Sequence, residues 1–320
     1  MKRLFFLLVL GLMADCAIAQ SYLKVMSYNV RLSTPSDSLN AWPLRRSASE
    51  RMLQLERPAL LGLQEACPDQ VEYLDTVLPQ YRRVGVGRED GKAEGEMMAI
   101  YFDTTIFDLE DWGSFWLSET PDVPSLGWDA ACKRTCTWAV LLLRQSGKRL
   151  LFLDTHLDHM GVVAREQEVR QIADSIQSLV VRQGLGEQPI VLLTADFNTG
   201  AANRIFKPLK AILNEARENA PVSDHEYTFN GFGSVQTVAE HRQQNPEEDY
   251  EDQVVIDHIF YSNVQPLSFR VLRDDYGVPF ISDHFPVVFE ARLPLLCDDV
   301  PPITKDDLKQ KAFLAISSCC

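Results

Sequence analysis

No stretch beyond the first twenty residues is long and apolar enough to cross a bilayer, which takes about 20 apolar residues in a helix. Cys-x-x-Cys is absent too, which argues against a structural zinc site. Internal repeats and long low-complexity linkers are also missing. Positive charge is scarce: 31 Lys and Arg stand against 45 Asp and Glu, a formal net charge of −14 over 320 residues. A protein that grips long nucleic acid non-specifically does so chiefly by neutralising backbone phosphates with Lys and Arg, so this balance argues against that class. With 46% hydrophobic residues, the chain can build a large core without a disulfide or metal staple.

The first nineteen residues read as a signal peptide. Lys2 and Arg3 precede an uncharged apolar run from Leu4 to Met13, and Ala17-Ile18-Ala19 forms a small-residue cleavage site before Gln20. The rival, a lipoprotein signal ending at Cys16, is disfavoured by Asp15 just before it. The expectation is a monomer, secreted or periplasmic, with no stable membrane insertion. Six cysteines would remain: Cys67, Cys132, Cys136, Cys297, Cys319 and Cys320. They permit fifteen complete pairings, and spacing does not choose among them. The apolar pattern stops after Leu293, so residues 20–293 read as the catalytic domain and 294–320 as an appendage.

Between those ends, strand-like apolar runs alternate with helical stretches. Val162, Val169, Ile172, Ile176 and Leu179 recur at helical spacing within 161–182. Helices are also expected at 43–56 and 68–78. Strands are expected at 22–28, 59–63, 82–86, 97–102, 137–143, 149–154, 189–194, 254–260 and 285–291. Mixed order of this kind indicates an α/β fold, with sheets covered by helices. Residues 240–252 are polar and acidic and read as a solvated loop.

One arrangement recurs. An apolar run ends and the next residues are acids, amides or histidines: Asn29 after KVMSY, Glu65 in LLGLQE, His156 in LLFLDTH, Asp196 and Asn198 in IVLLTADFN, Asp257 in VVID, Asp283 and His284 in ISDH. A lone Asp after a strand is more often a turn former or cap. Six such sites are hard to read that way, because strand ends are where a sheet presents reactive groups. Glu65, Asp283, Asp196, Asn29 and Asn198 are hard oxygen donors, suited to Mg²⁺ or Mn²⁺. His156-Leu157-Asp158-His159 resembles an H-x-D-H zinc stretch, but no cysteine lies nearby, and His159 reads as a helix-entry residue.

Taken together, these motifs resemble the endonuclease/exonuclease/phosphatase superfamily over about residues 22–293. SYNVR, LQE, GVGREDGKAEGE, FWLSETPDVPSLGWDAACKRTCTW, DTHLDHMGVVAR, TADFN, TFNGFG, VIDHIF and SDHFPV are closest to a secreted bacterial branch. The resemblance implies a DNase I-like fold, a two-sheet α/β sandwich flanked by helices in four layers, and a metal-dependent phosphodiesterase or phosphatase. It implies Glu65 as the principal ligand of Mg²⁺ or Mn²⁺, with Asn29 and Asp283 completing the metal site. Asp196 and Asn198 would position or deprotonate the attacking water and touch the phosphate, and Asp257 would hold His284 as base or charge stabiliser. His156 would contact the phosphate from the other side, oriented by Glu96, and Arg134 would be a phosphate contact. Whether Asp196 or His284 removes the water's proton stays open.

The branch usually carries tyrosine where Phe102 stands, and Tyr101 falls on the opposite face of an alternating strand, so no tyrosine role carries over. Phe115, Trp116, Trp128 and Trp138 can wall a pocket, although aromatics in strand-like segments are more often core. Arg165 reads equally as a site residue or a surface ion-pair partner. His225 and His241 read as structural or exposed, and His258, next to Asp257, points away from the site. The expected substrate is a small phosphoester, a nucleotide or a short oligonucleotide. The alternatives are a non-specific endonuclease or sphingomyelinase-like lipase on the same fold, and a catalytically inactive binding protein.

Overall fold

The computed structural model describes residues 22–244 and 250–294; the segment expected to be a signal peptide, the 295–320 tail and Cys297, Cys319 and Cys320 lie outside them. Two mixed sheets face each other. The first has seven strands in the order β10-β12-β13-β1-β2-β4-β3 and the second six in the order β5-β6-β7-β8-β11-β9. In chain order the strands are β1 (Tyr22–Asn29), β2 (Leu60–Ala66), β3 (Tyr81–Val84), β4 (Met97–Asp103), β5 (Phe107–Trp116), β6 (Thr135–Leu143) and β7 (Arg149–His156). They continue with β8 (Ile190–Asp196), β9 (Asn214–Glu215), β10 (Val222–Ser223), β11 (Asp257–Ser262), β12 (Gln265–Val271) and β13 (Val287–Arg292). β1 and β2 run parallel, as do β7 and β8.

Helices cover both outer faces. α1 (Trp42–Glu56) and α2 (Pro68–Val77) bury Met52, Leu53 and Leu74 against Met26, Tyr28, Leu61 and Leu63 of the first sheet. α3 (Val162–Arg182) lays Val169, Ile172, Ile176 and Leu179 on Leu151, Leu153, Val191 and Leu193 of the second. The four layers match the expected DNase I-like architecture. Because β1, β2, β7 and β8 are covered on both faces, their sequences are nearly continuous apolar runs rather than alternating ones. Between the sheets, Val25, Leu60, Ile100, Phe152, Leu192, Ile259 and Phe289 form the central core.

The segment expected as a loop at 240–252 instead carries short helices at Val238–Gln244 and Glu251–Val254. Among the described residues Cys67, Cys132 and Cys136 are free thiols.

Candidate active site

Toward one end the apolar space between the sheets turns polar in register. On β1 the inward positions run Val25, Ser27, Asn29; on β7 they run Phe152, Asp154, His156; on β8, Leu192, Thr194, Asp196. Pairing keeps these in step, since His156 is the register partner of Asp196, which is also opposite Asp257. The middle layer is held by side-chain hydrogen bonds, with Gln64 Oε1 and Asp154 Oδ2 left buried and unpartnered. Gln64 Nε2 donates to Ser27 Oγ (3.1 Å) and Asp154 Oδ1 (2.6 Å), and Thr194 Oγ1 donates to the same Asp154 oxygen at 2.7 Å. Gly62 lets the sheets close there, because a Cβ would meet Thr194 Oγ1 at 2.0 Å and Asp154 Oδ1 at 2.3 Å. Burial pushes the Asp154 carboxyl well above its ordinary range, so this layer is uncharged.

The layer beyond it is ionic. Asn29 Nδ2 donates to Glu65 Oε1 and Asp196 Oδ2, both at 2.9 Å. His284 Nδ1 donates to Asp257 Oδ2 at 2.8 Å, and its Nε2 lies 3.6 Å from Asp196 Oδ2. His156 Nε2 lies 3.3 Å from the same Asp196 oxygen. Plain alternation would turn Glu65 outward. A bulge between Leu63 and Ala66, with Glu65 at φ 60°, brings its carboxylate back into the cleft. Asn198, also left-handed at φ 51°, donates from Nδ2 to Leu157 O and to His156 Nε2, each at 2.9 Å. The Leu157 carbonyl fixes the orientation of that amide, so His156 Nε2 accepts and Nδ1 carries the proton, buried and without a partner.

The loops are clamped from behind. Arg45, almost fully buried, donates to the carbonyls of Val30, Arg31, Asn40 and Ile281, tying the segment after β1 to the one carrying Asp283 and His284. Ser282 Oγ adds a bond to Asn29 O at 2.7 Å.

Charge is divided unevenly. Burial alone would strip the proton from His284, but Asp257 and Asp196 outweigh it and hold the ring protonated well above its usual range. His156 goes the other way: burial, then Arg134 and Arg88, hold it neutral. Burial raises Asp196 to about 7 against the pull of His284. Asp283 is raised by burial, with Glu65 adding to the rise.

Two expected roles change. Asn29 was expected to complete the metal site, yet its Oδ1 accepts from Arg31 N at 2.9 Å, so the amide turns its nitrogen to the carboxylates. As the side chain stands, it is a donor hub. Glu96 was expected to orient His156; instead both its oxygens pair with Arg88, at 2.7 and 2.8 Å. Arg134 is buried beside the site, 3.5 Å from Asp158 Oδ2 and 3.1 Å from His159 Nδ1. His258 faces the opposite side, between Val255 O (2.9 Å) and Glu215 Oε1 (3.3 Å).

Sequence reading missed Arg31, whose Nη1 lies 3.6 Å from Asp283 Oδ2 and 4.0 Å from Glu65 Oε2. Its signal was its place two residues after Asn29 in SYNVR. A divalent cation fits this donor set. Glu65 and Asp283 are hard carboxylates facing one guanidinium, and Glu65, His156 and Asp196 bring ligand atoms within 4.8 Å of one another.

A fold of this kind, with acids and histidines gathered at one end of the inter-sheet space, defines a class of mostly hydrolytic phosphoesterases. The chain belongs to the endonuclease/exonuclease/phosphatase family, whose profile matches residues 26–284. A family member of known structure from Bacteroides thetaiotaomicron is 33% identical, with a TM-score of 0.75 over 86% of this chain and 96% of that one. A mannosyl-6-phosphatase from the same organism is 34% identical, with a TM-score of 0.72 over 84% and 99%. An uncharacterized protein of Acanthamoeba polyphaga mimivirus is 24% identical over 83% of this chain and 98% of its own.

Proposed function

We propose that the protein is an exported, divalent-metal-dependent hydrolase of small phosphoesters, a sugar phosphate foremost. The observation that carries this is the continuous run Glu65–Asn29–Asp196–His284–Asp257, drawn from four strands and one loop and linked by contacts of 2.8 to 3.6 Å. Glu65 and Asp283 would hold the ion. When bound, Mg²⁺ or Mn²⁺ supplies charge neutralisation for the phosphoryl group, which such transfers need more than covalent catalysis.

The remaining steps fall to side chains. Asp196, braced by Asn29 Nδ2 and by Asn198 N on its other oxygen (3.0 Å), takes the proton of the attacking water. His284, held by Asp257, faces the reacting centre as a cation that stabilises developing negative charge. Neutral His156, Asn198 and Arg134 contact phosphate oxygens from the opposite wall.

The substrate class rests on the acidic surface and on the likeness to a mannosyl-6-phosphatase. The test is phosphate release from hexose 6-phosphates, bis-p-nitrophenyl phosphate and oligonucleotides, with Mg²⁺ and with EDTA. Metal-dependent turnover, highest on the monoesters, is expected. Full activity in chelator, or a strong preference for oligonucleotides, would overturn the reading.

A further inference from the structure

A second concave site lies on the outer face of the second sheet, between edge strand β5, the 117–130 loop and the flank of α3. It is a groove of about 700 Å³, and none of the catalytic-site residues line it. Phe115 and Trp128, both half-buried, and Trp138 give it aromatic walls.

Two features of the groove have no structural account within the fold. Trp128 sits at φ 45°, a conformation costly for a bulky aromatic, although its indole is only half-buried. Such strain persists where the surroundings fix it, and it concentrates at ligand sites. Here the loop is set by Trp128 N on Glu119 Oε2 (3.3 Å) and by Gly127 packed against Leu117 O, where a Cβ would come within 2.3 Å. The second feature is Gln171. Its Nε2 donates to Trp116 O (3.1 Å) and Ser118 O (3.2 Å), which fixes the amide and leaves Oε1 buried with no donor.

Asp122 and Asp174 bring carboxylates to the groove, and Ser114, Ser175 and Ser178 bring hydroxyls. Arg170 pairs with Glu166 at 2.6 Å, and the Arg182 guanidinium lies over the Trp138 ring, 5.6 Å from its centre. A sugar ring fits, since its C–H face packs on an aromatic ring while its hydroxyls bond to carboxylate and serine oxygens.

We propose that this groove is a carbohydrate-binding site, separate from the catalytic cleft, that takes a neutral hexose unit of a glycan chain. It stands independently of the hydrolase reading, because binding needs neither metal nor turnover.

The experiment is calorimetric titration of the whole protein in EDTA with mannohexaose, maltohexaose and cellohexaose, and with ATP and inorganic phosphate for comparison. At least one neutral oligosaccharide should bind. Trp128→Ala should weaken that binding ten-fold or more, and Asp174→Ala, on the exposed face of α3, should weaken it several-fold. Both variants should keep the wild-type melting temperature and p-nitrophenyl phosphate hydrolysis. No binding by any of the three sugars, equal binding in both variants, or a Trp128-dependent site that takes only ATP or phosphate would each overturn the proposal.

Discussion

The two ends of the inter-sheet space are built on the same strands and differ in one respect, the polarity of every second residue. At one end Val25, Leu60, Phe152, Leu192 and Ile259 make an apolar core that is fully withdrawn from water. At the other, two to five residues away on the same strands, stand Asn29, Glu65, His156, Asp196 and Asp257. Burial is similar at both ends, so the ionic end pays desolvation that the apolar end does not. The neutral layer of Ser27, Gln64, Asp154 and Thr194 lies between. It is tied together by hydrogen bonds and supports the charged side chains without adding charge. A large hydrophobic foundation lets the fold hold buried charges in a strained, reactive arrangement.

The comparison breaks hardest at its outermost layer. On the proposed mechanism, Asp196→Asn keeps the shape but removes the proton acceptor, and Glu65→Gln removes the ion's main ligand. Each should lower kcat by about a thousand-fold or more while folding is retained, as steady-state rates beside melting curves would show. Removing buried negative charge should leave stability unchanged or raise it. A large loss of stability with kcat intact would place these residues with the core.

Asp257 and His284 form the next test. Asp257→Asn and His284→Gln should each reduce kcat by about a hundred-fold, and the double variant should lose little more, because the pair acts as a unit. Additive losses would separate them. His258, one residue along the same strand but on the far face, sits in a buried contact with Glu215. His258→Gln should lower the melting temperature and leave kcat within about two-fold.

The middle layer predicts a contrast between two variants at one position. Asp154 is held in its neutral form, so Asp154→Asn should be close to silent in stability. Asp154→Ala, which removes the acceptor that Gln64 Nε2 and Thr194 Oγ1 share, should cost about 1–3 kcal/mol in denaturant unfolding.

Glu168 offers the smallest effect and a signed one. Burial raises its carboxyl to about 7, with one oxygen accepting from Asp158 N at 2.9 Å and the other unpartnered. The folded state therefore binds more protons than the unfolded one from about pH 4.5 to 7, and stability contributed by this group is lost as pH rises through that window. Glu168→Gln should flatten the decline by on the order of 1–2 kcal/mol, read from unfolding curves at pH 5 and 7.5.

Much of this was legible in the sequence, and the exceptions have causes. β1, β2, β7 and β8 are covered on both sides, so their apolar runs announce them to within a few residues. β5 escaped notice because it is an edge strand with Asp108, Glu110 and Asp111 among its residues, and β12 because Pro266 and its half-buried pattern weaken the signal. Asn29, Glu65, His156, Asp196 and Asn198 were found at or just past strand ends, whereas Asp257 opens β11 and Asp283 and His284 lie in the loop before β13, each marked only by the short apolar run ahead of it. Which atom each one offers was not legible. Arg31 N turns the Asn29 amide around, Arg88 draws Glu96 away from His156, and the bulge at Glu65 depends on one positive φ.

The most direct test of the central claim is a crystal structure with Mn²⁺ and vanadate, read by the anomalous signal of the metal. The account predicts Mn²⁺ held by Glu65 and Asp283, with the vanadate oxygens toward His156, Asn198 and Arg134 and Asp196 facing the remaining side. Mn²⁺ bound away from Glu65, or vanadate bound away from the ionic end of the inter-sheet space, would contradict it.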